Sequence, residues 1–172
     1  METMQYLDWS ARAPAVAERE QAKHLLFELR GWSFALPSLW ASGIVRREEV
    51  GRLHEMPGME PPLKGMVNHL GNALPIFDFG WDWGGEGRGE ALVLLGAGSS
   101  QLGFWVDALP KGVKMQERYD RAGSDSVQLP EGVRRCASGV WRLRGKAEGA
   151  PAAEWVVEMA SYDELTGRFK LG

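Results

Sequence analysis

A mainly β fold of two similar small barrels, with short helices and an N-terminal leader, is what this sequence predicts. Short apolar runs come in pairs around glycine-containing breaks, which is the pattern of β-hairpins. Helix-forming composition is concentrated in the first two dozen residues, with only short turns of helix elsewhere. The order of elements in the first half also recurs in the second. Short strands with frequent turns favour closure into barrels, because closure removes exposed sheet edges.

Ala11 to Lys23 is rich in Ala, Glu, Gln and Arg, and Pro14 stands where a first helical turn tolerates proline. Residues 1–23 therefore read as a leader with a short helix from Pro14 to Lys23. From His24 the pattern turns to β. Leu25 to Leu29 and Trp32 to Leu36 flank Arg30-Gly31 as a hairpin, and Pro37 stops the second strand because it offers no N–H to a ladder. Ser38 to Gly43 follows as a short turn of helix, and Ile44-Val45 resumes an extended path. Arg46 to Arg52 is charged and solvated, and Met56 to Pro62 is a rigid loop. Leu63 to Leu70, a turn at Gly71-Asn72 and Ala73 to Asp78 form the next hairpin. Gly80 to Gly89 reads as a flexible connection.

The second half repeats this plan. Ala91–Leu95 and Leu102–Val106 form a hairpin, and the polar stretch Lys111 to Gly132 occupies the place of the earlier loop. Ser138 to Gly145 mirrors Lys64 to Gly71, with glycines at matching positions. Glu154–Met159 answers Ala73–Asp78, and Tyr162–Leu165 closes with a helical turn. The expected division is a first barrel over 24–79, a second over 90–159, a closing turn at 160–165 and a tail at 166–172.

Composition narrows the function. The chain of 172 residues carries 20 Lys+Arg against 23 Asp+Glu, a net charge of −3, so it has no field that would attract nucleic acid or anionic lipid. Cys136 is its one cysteine, which argues for a reducing, cytoplasmic setting; no apolar run is long enough for membrane insertion. Motifs for chemistry are missing. His24, His54 and His69 lack zinc-site spacing, no serine sits in a G-x-S-x-G elbow, and Cys136 has no nearby activator. The glycine run at Gly84–Gly89 is followed by a strand rather than the helix a phosphate cradle needs. Asp78, Asp107 and Glu158, near strand ends, are expected to cap turns. No catalytic residue, metal or cofactor is expected. Of the eight tryptophans, Trp32, Trp105, Trp141 and Trp155 lie in strands and are expected in cores. Trp40, Trp81 and Trp83 lie in loops and are equally balanced between packing and contact.

Lys64-Gly65-Met66-Val67-Asn68-His69-Leu70-Gly71 followed by Leu74-Pro75-Ile76-Phe77-Asp78-Phe79 resembles the signature of CheW-like chemotaxis coupling proteins. Leu26–Leu29 with Phe34–Pro37 is similar to the family's opening hairpin. Leu102 to Asp107 resembles its Gly-apolar-Val-Asp strand, and Ser138-Gly139-Val140 its last glycine-framed hairpin. The resemblance runs from His24 to Leu165. It implies two SH3-like five-stranded barrels in a non-enzymatic adaptor that bridges the regulatory domain of a CheA-type histidine kinase and the cytoplasmic tip of a chemoreceptor.

By the same resemblance, Ala41, Gly43, Gly65, Asn68, Leu70, Gly103, Trp105, Val106 and Gly139 are the expected partner-binding positions. Leu70 stands where the family carries a functional arginine, and Ala41 and Gly43 where it often has Val and Glu. Scaffold glycines are kept while contact positions change, which implies altered partners in control of swimming, pili or gliding. The alternative on the same fold is a scaffold that localises motility or polar proteins without kinase coupling. A small hydrolase or transferase using Asp78, Asp107 or His69 is the remote alternative, and it requires those groups to converge in one pocket.

Overall fold

The computed structural model describes residues 23–85, 87–97, 100–145 and 154–169. Apart from Lys23, the expected leader lies outside the described residues, as does the end of the expected tail.

The opening hairpin forms as expected: β1 (His24–Leu29) and β2 (Trp32–Pro37) pair antiparallel. Arg30 and Gly31 both have positive φ, 45° and 84°, which gives a two-residue turn whose twist matches the strands. A 3-10 turn over Ser38–Trp40 leads into β3 (Ala41–Arg46). Next come β4 (Leu63–His69) and β5 (Asn72–Phe77). Their turn is Leu70-Gly71, with φ of 51° and 82°, one residue earlier than the sequence suggests. Asn72 already pairs with His69. β6 (Ala91–Leu95) and β7 (Leu102–Val106) pair as expected.

The polar stretch from Lys111 holds more structure than expected. It contains β8 (Lys111–Val113), α1 (Met115–Arg118), β9 (Tyr119–Ala122) and the start of α2 (Glu131–Arg135). β10 (Ala137–Leu143) and β11 (Trp155–Met159) form the last hairpin, and α3 (Tyr162–Arg168) runs through the expected closing turn into the tail. Ser161 starts α3 with a reciprocal cap: its hydroxyl accepts the Glu164 N–H at 3.2 Å, and the Glu164 carboxylate accepts the Ser161 N–H at 2.9 Å.

The strands make two curled sheets, ordered β8-β1-β2-β11-β10-β9 and β3-β6-β7-β5-β4. This corrects the expected division at residues 24–79 and 90–159. The opening hairpin pairs with the C-terminal one, through a parallel contact of Phe34 with Val157 and Ala35 with Glu158. The middle of the chain, from β3 to β7, makes the other sheet. There β5 and β7 pair in parallel at Ile76–Gly103 and Phe77–Phe104.

Both sheets thus follow one plan: an edge strand, a plain hairpin, a parallel seam and a glycine-bulged hairpin. The repeat is real, but its phase is shifted by one hairpin. The six-stranded sheet exceeds the expected five because β9 adds outside β10.

Three clusters explain the apolar pattern. The largest lies between the sheets and takes Phe27, Phe34, Phe79, Val93, Phe104 and Val157 from both. Val45, Val67, Leu74, Ile76, Leu92 and Leu94 fill the curl of the five-stranded sheet. Ala35, Met115, Tyr119, Trp141 and Val156 fill the other. β6 is buried along its whole length because Ala91, Val93 and Leu95 face the central core while Leu92 and Leu94 face the curl.

Candidate functional site

The nine expected partner-binding positions do not form one patch. Gly65, Gly103 and Val106 are buried, so they shape the scaffold and offer no contact surface. A Cβ on Gly65 would lie 2.7 Å from the His54 carbonyl oxygen and 2.8 Å from Leu53 Cδ1. On Gly103 it would press against Ile76 Cδ1 at 3.1 Å and Leu94 Cδ2 at 3.2 Å. Neither glycine has a positive φ, so what favours glycine is close approach rather than backbone freedom, of a backbone carbonyl at Gly65 and of side-chain ends at Gly103. Gly139 is half-buried, and its Cβ position is 2.5 Å from the Arg121 guanidinium.

Ala41 and Gly43 lie on β3, an edge of the five-stranded sheet, with a bulge between them and the exposed Ile44 beside them. Asn68 and Leu70 sit at the tip of the β4–β5 hairpin. The Asn68 side-chain oxygen accepts the Gly71 N–H at 3.1 Å and so helps hold the turn. Leu70 is 88% exposed in a left-handed conformation, which costs a leucine about 1–2 kcal/mol. Packing does not repay that cost.

Trp105 is half-buried in a cleft of about 280 Å³ that opens between the sheets. Arg30, at the tip of the opening hairpin, ties the two sheets together there. Its guanidinium donates to Asp78 Oδ2 and to the Gly85 carbonyl, each at 2.5 Å, and its backbone N–H donates to Asp107 Oδ2 at 2.6 Å. Asp78 also accepts the Gly80 N–H and Asp107 the Gly89 N–H, both at 3.1 Å. These two carboxylates hold turns, as expected. They share the cleft, but His69 is at the opposite, turn end of the β4–β5 hairpin, so the three groups proposed for catalysis do not converge.

Glu158 departs from its expected role of turn capping. It is fully buried, lies 3.6 Å from His24 Nε2 and forms an ion pair with Arg121. The Arg121 guanidinium also covers the Trp141 ring, and His24 meets that ring edge-on. Of the loop tryptophans, Trp83 stacks on Phe34 and Trp40 packs against the central core, while Trp81 is exposed. Gly80 to Gly85 is therefore pinned by Trp83 and Arg30 rather than free as a connection.

Cys136 is buried in the central core, and that burial, with the Asp82 charge adding, pushes its thiol up to about 12. The nucleophilic thiolate is then scarce at neutral pH. Iodoacetamide at pH 8 should leave the native thiol unmodified for hours and label it within minutes in guanidinium. Fast native labelling would show that the core opens readily.

Among the described residues no helix is long and apolar enough to cross a membrane, and no three His, Cys, Asp or Glu groups are placed to hold a metal ion.

The architecture has a solved counterpart in the scaffolding protein TtCheW from Thermoanaerobacter tengcongensis. The TM-score is 0.58 at 14% identity, over 81% of this chain and 89% of that one, and at that identity the likeness speaks to fold alone. Among curated proteins there is no significant sequence match. The family model of the CheW-like domain matches residues 23–148, from the start of the opening hairpin past the end of β10. The five-stranded sheet, every strand of the six-stranded sheet except β11 and most of the chain fall within that match, and the protein belongs to the CheW-like domain family.

Proposed function

We propose that this protein is a non-enzymatic signalling adaptor, coupling a chemoreceptor tip to the regulatory domain of a CheA-type histidine kinase in a chemotaxis-like pathway. Leu70 is the observation that carries the reading. It occupies the family's contact position, at a hairpin tip, and it is a large apolar side chain held exposed on strained backbone. Such a residue reduces stability and solubility when the protein is alone, and burial against a partner would offset both.

Leu70→Asn tests this, because Asn-Gly is the preferred dipeptide for this turn. The variant should be more stable by about 0.5–1 kcal/mol in urea unfolding, since asparagine tolerates the left-handed region better than leucine. Its affinity for a receptor cytoplasmic fragment or a kinase regulatory domain from the same genome should fall about tenfold by analytical ultracentrifugation. Wild-type protein that binds neither fragment would end the reading.

The replacement of the family arginine by Leu70 favours a second reading, a localisation scaffold without kinase coupling. Binding to a motility scaffold protein with none to the kinase would select it.

A further inference from the structure

We propose that the cleft between the two sheets is an anion site that receives an acidic side chain, Asp or Glu, of the partner protein. This rests on the adaptor reading above and adds the chemistry of one contact.

The cleft is lined by four cations, Arg30, Arg47, Lys64 and Arg88, and by two carboxylates, Asp78 and Asp107. All four carboxylate oxygens already have a donor: Arg30 and Gly80 for Asp78, Arg30 and Gly89 for Asp107. Arg30 is committed in return to Asp78 and the Gly85 carbonyl. The Arg47 guanidinium donates to the Arg88 carbonyl at 3.1 Å, and among the described residues Arg47, Lys64 and Arg88 form no ion pair. Glu48, Glu49 and Glu90 are chain neighbours of these cations, but none lines the cleft. A positive excess is thus gathered in one concavity of a chain whose overall charge is −3.

A second observation points the same way. The Arg30 Nε–H is buried and has no acceptor among the described residues, and a buried donor of this kind calls for one. Gly87 is beside it: a Cβ there would stand 3.8 Å from Arg30 Nε and 3.1 Å from Asp107 Oδ1, so the absent side chain keeps the cleft open. Trp105 supplies an apolar wall for the methylenes of an acidic side chain, and Gly89 comes close under its ring. A volume of about 280 Å³ suits a side chain rather than a helix.

The probe is a fluorescein-labelled hexaglutamate peptide, followed by anisotropy and by tryptophan emission at low ionic strength. Wild-type protein should bind it, lose it as salt rises, and ignore hexalysine. Lys64→Ala/Arg88→Ala should bind about tenfold more weakly with unchanged urea unfolding, and Lys64→Arg/Arg88→Lys should retain binding. No hexaglutamate binding by the wild type, or equal binding by the alanine double variant, would overturn the site. Displacement of the peptide by equimolar inorganic phosphate would overturn the choice of a carboxylate ligand.

The partner fragments separate this inference from the reading beneath it. If wild type and the alanine variant bind them equally, the acidic contact is wrong and the adaptor reading stands. If the wild type binds no fragment, the adaptor reading itself is wrong.

Discussion

Replacing Glu158 with alanine should destabilise the protein by about 3 kcal/mol, the low end of the cost of breaking a buried ion pair by removing one partner. Glu158 is fully buried between His24 of β1 and Arg121 of β9, and the latter keeps a quarter of its side chain in contact with solvent. Removing the carboxylate leaves the Arg121 guanidinium over the Trp141 face without its anion, and its partial exposure keeps the cost from going higher.

The position matters as much as the charge. β2 and β11 are joined by only two paired positions, Phe34–Val157 and Ala35–Glu158. That seam closes the six-stranded sheet across the two ends of the chain. The expected result is a lower urea midpoint with an unchanged slope, because the same surface is exposed on unfolding. Glu158→Gln should fall between wild type and alanine, since it keeps the shape and loses the charge. The triple change His24→Phe/Arg121→Met/Glu158→Leu should cost less than Glu158→Ala alone, because no orphaned charge remains. A loss below about 1 kcal/mol in Glu158→Ala would mean the cluster is solvated and contributes little.

Why this cluster escaped the sequence reading is a matter of distance along the chain. His24 and Glu158 are at opposite ends, and nothing local marks Tyr119-Asp120-Arg121-Ala122 as a strand. In β9 only Tyr119 is buried, so no alternation of apolar residues is visible. By contrast, the hairpins around Gly31 and Gly71 announced themselves because apolar strands flank a glycine, although the second turn falls one residue earlier than its glycine suggested, and β6 announced itself by an unbroken apolar run. The repeat was legible as an order of elements, yet pairing hairpins by proximity in sequence put the boundary in the wrong place. Only the parallel seams, Phe34–Val157 and Ile76–Gly103, assign each hairpin to its sheet. The partner-binding set divided along a similar line: sequence could place Gly65 and Gly103 within a motif but could not say that the structure buries them.

Gly65→Ala should be the most damaging conservative change in the five-stranded sheet, at about 2–3 kcal/mol, within the range for overpacking a close-packed core. The added methyl would stand 2.7 Å from the His54 carbonyl oxygen and 2.8 and 2.9 Å from Leu53 Cδ1 and Cγ. That carbonyl accepts the Met66 N–H at 2.9 Å, and the His54 N–H donates to the Met66 carbonyl at 2.8 Å. The long loop before β4 is thereby held against the sheet, and the methyl cannot be accommodated without loosening both bonds.

Gly139, its counterpart in the repeat, offers an internal control. A methyl there would meet the Arg121 guanidinium at 2.5 Å, the far end of a side chain that can swing away. Gly139→Ala should therefore cost less in its own right, and its cost should arise from disturbing the Arg121–Glu158 pair. A double-mutant cycle of Gly139→Ala with Glu158→Gln should show coupling of about 0.5 kcal/mol or more, whereas Gly65→Ala with Glu158→Gln should be additive. Equal costs for the two glycines, with no coupling to Glu158, would mean both serve only the bulge in their strand, and the close approach at His54 would not be what requires glycine at position 65.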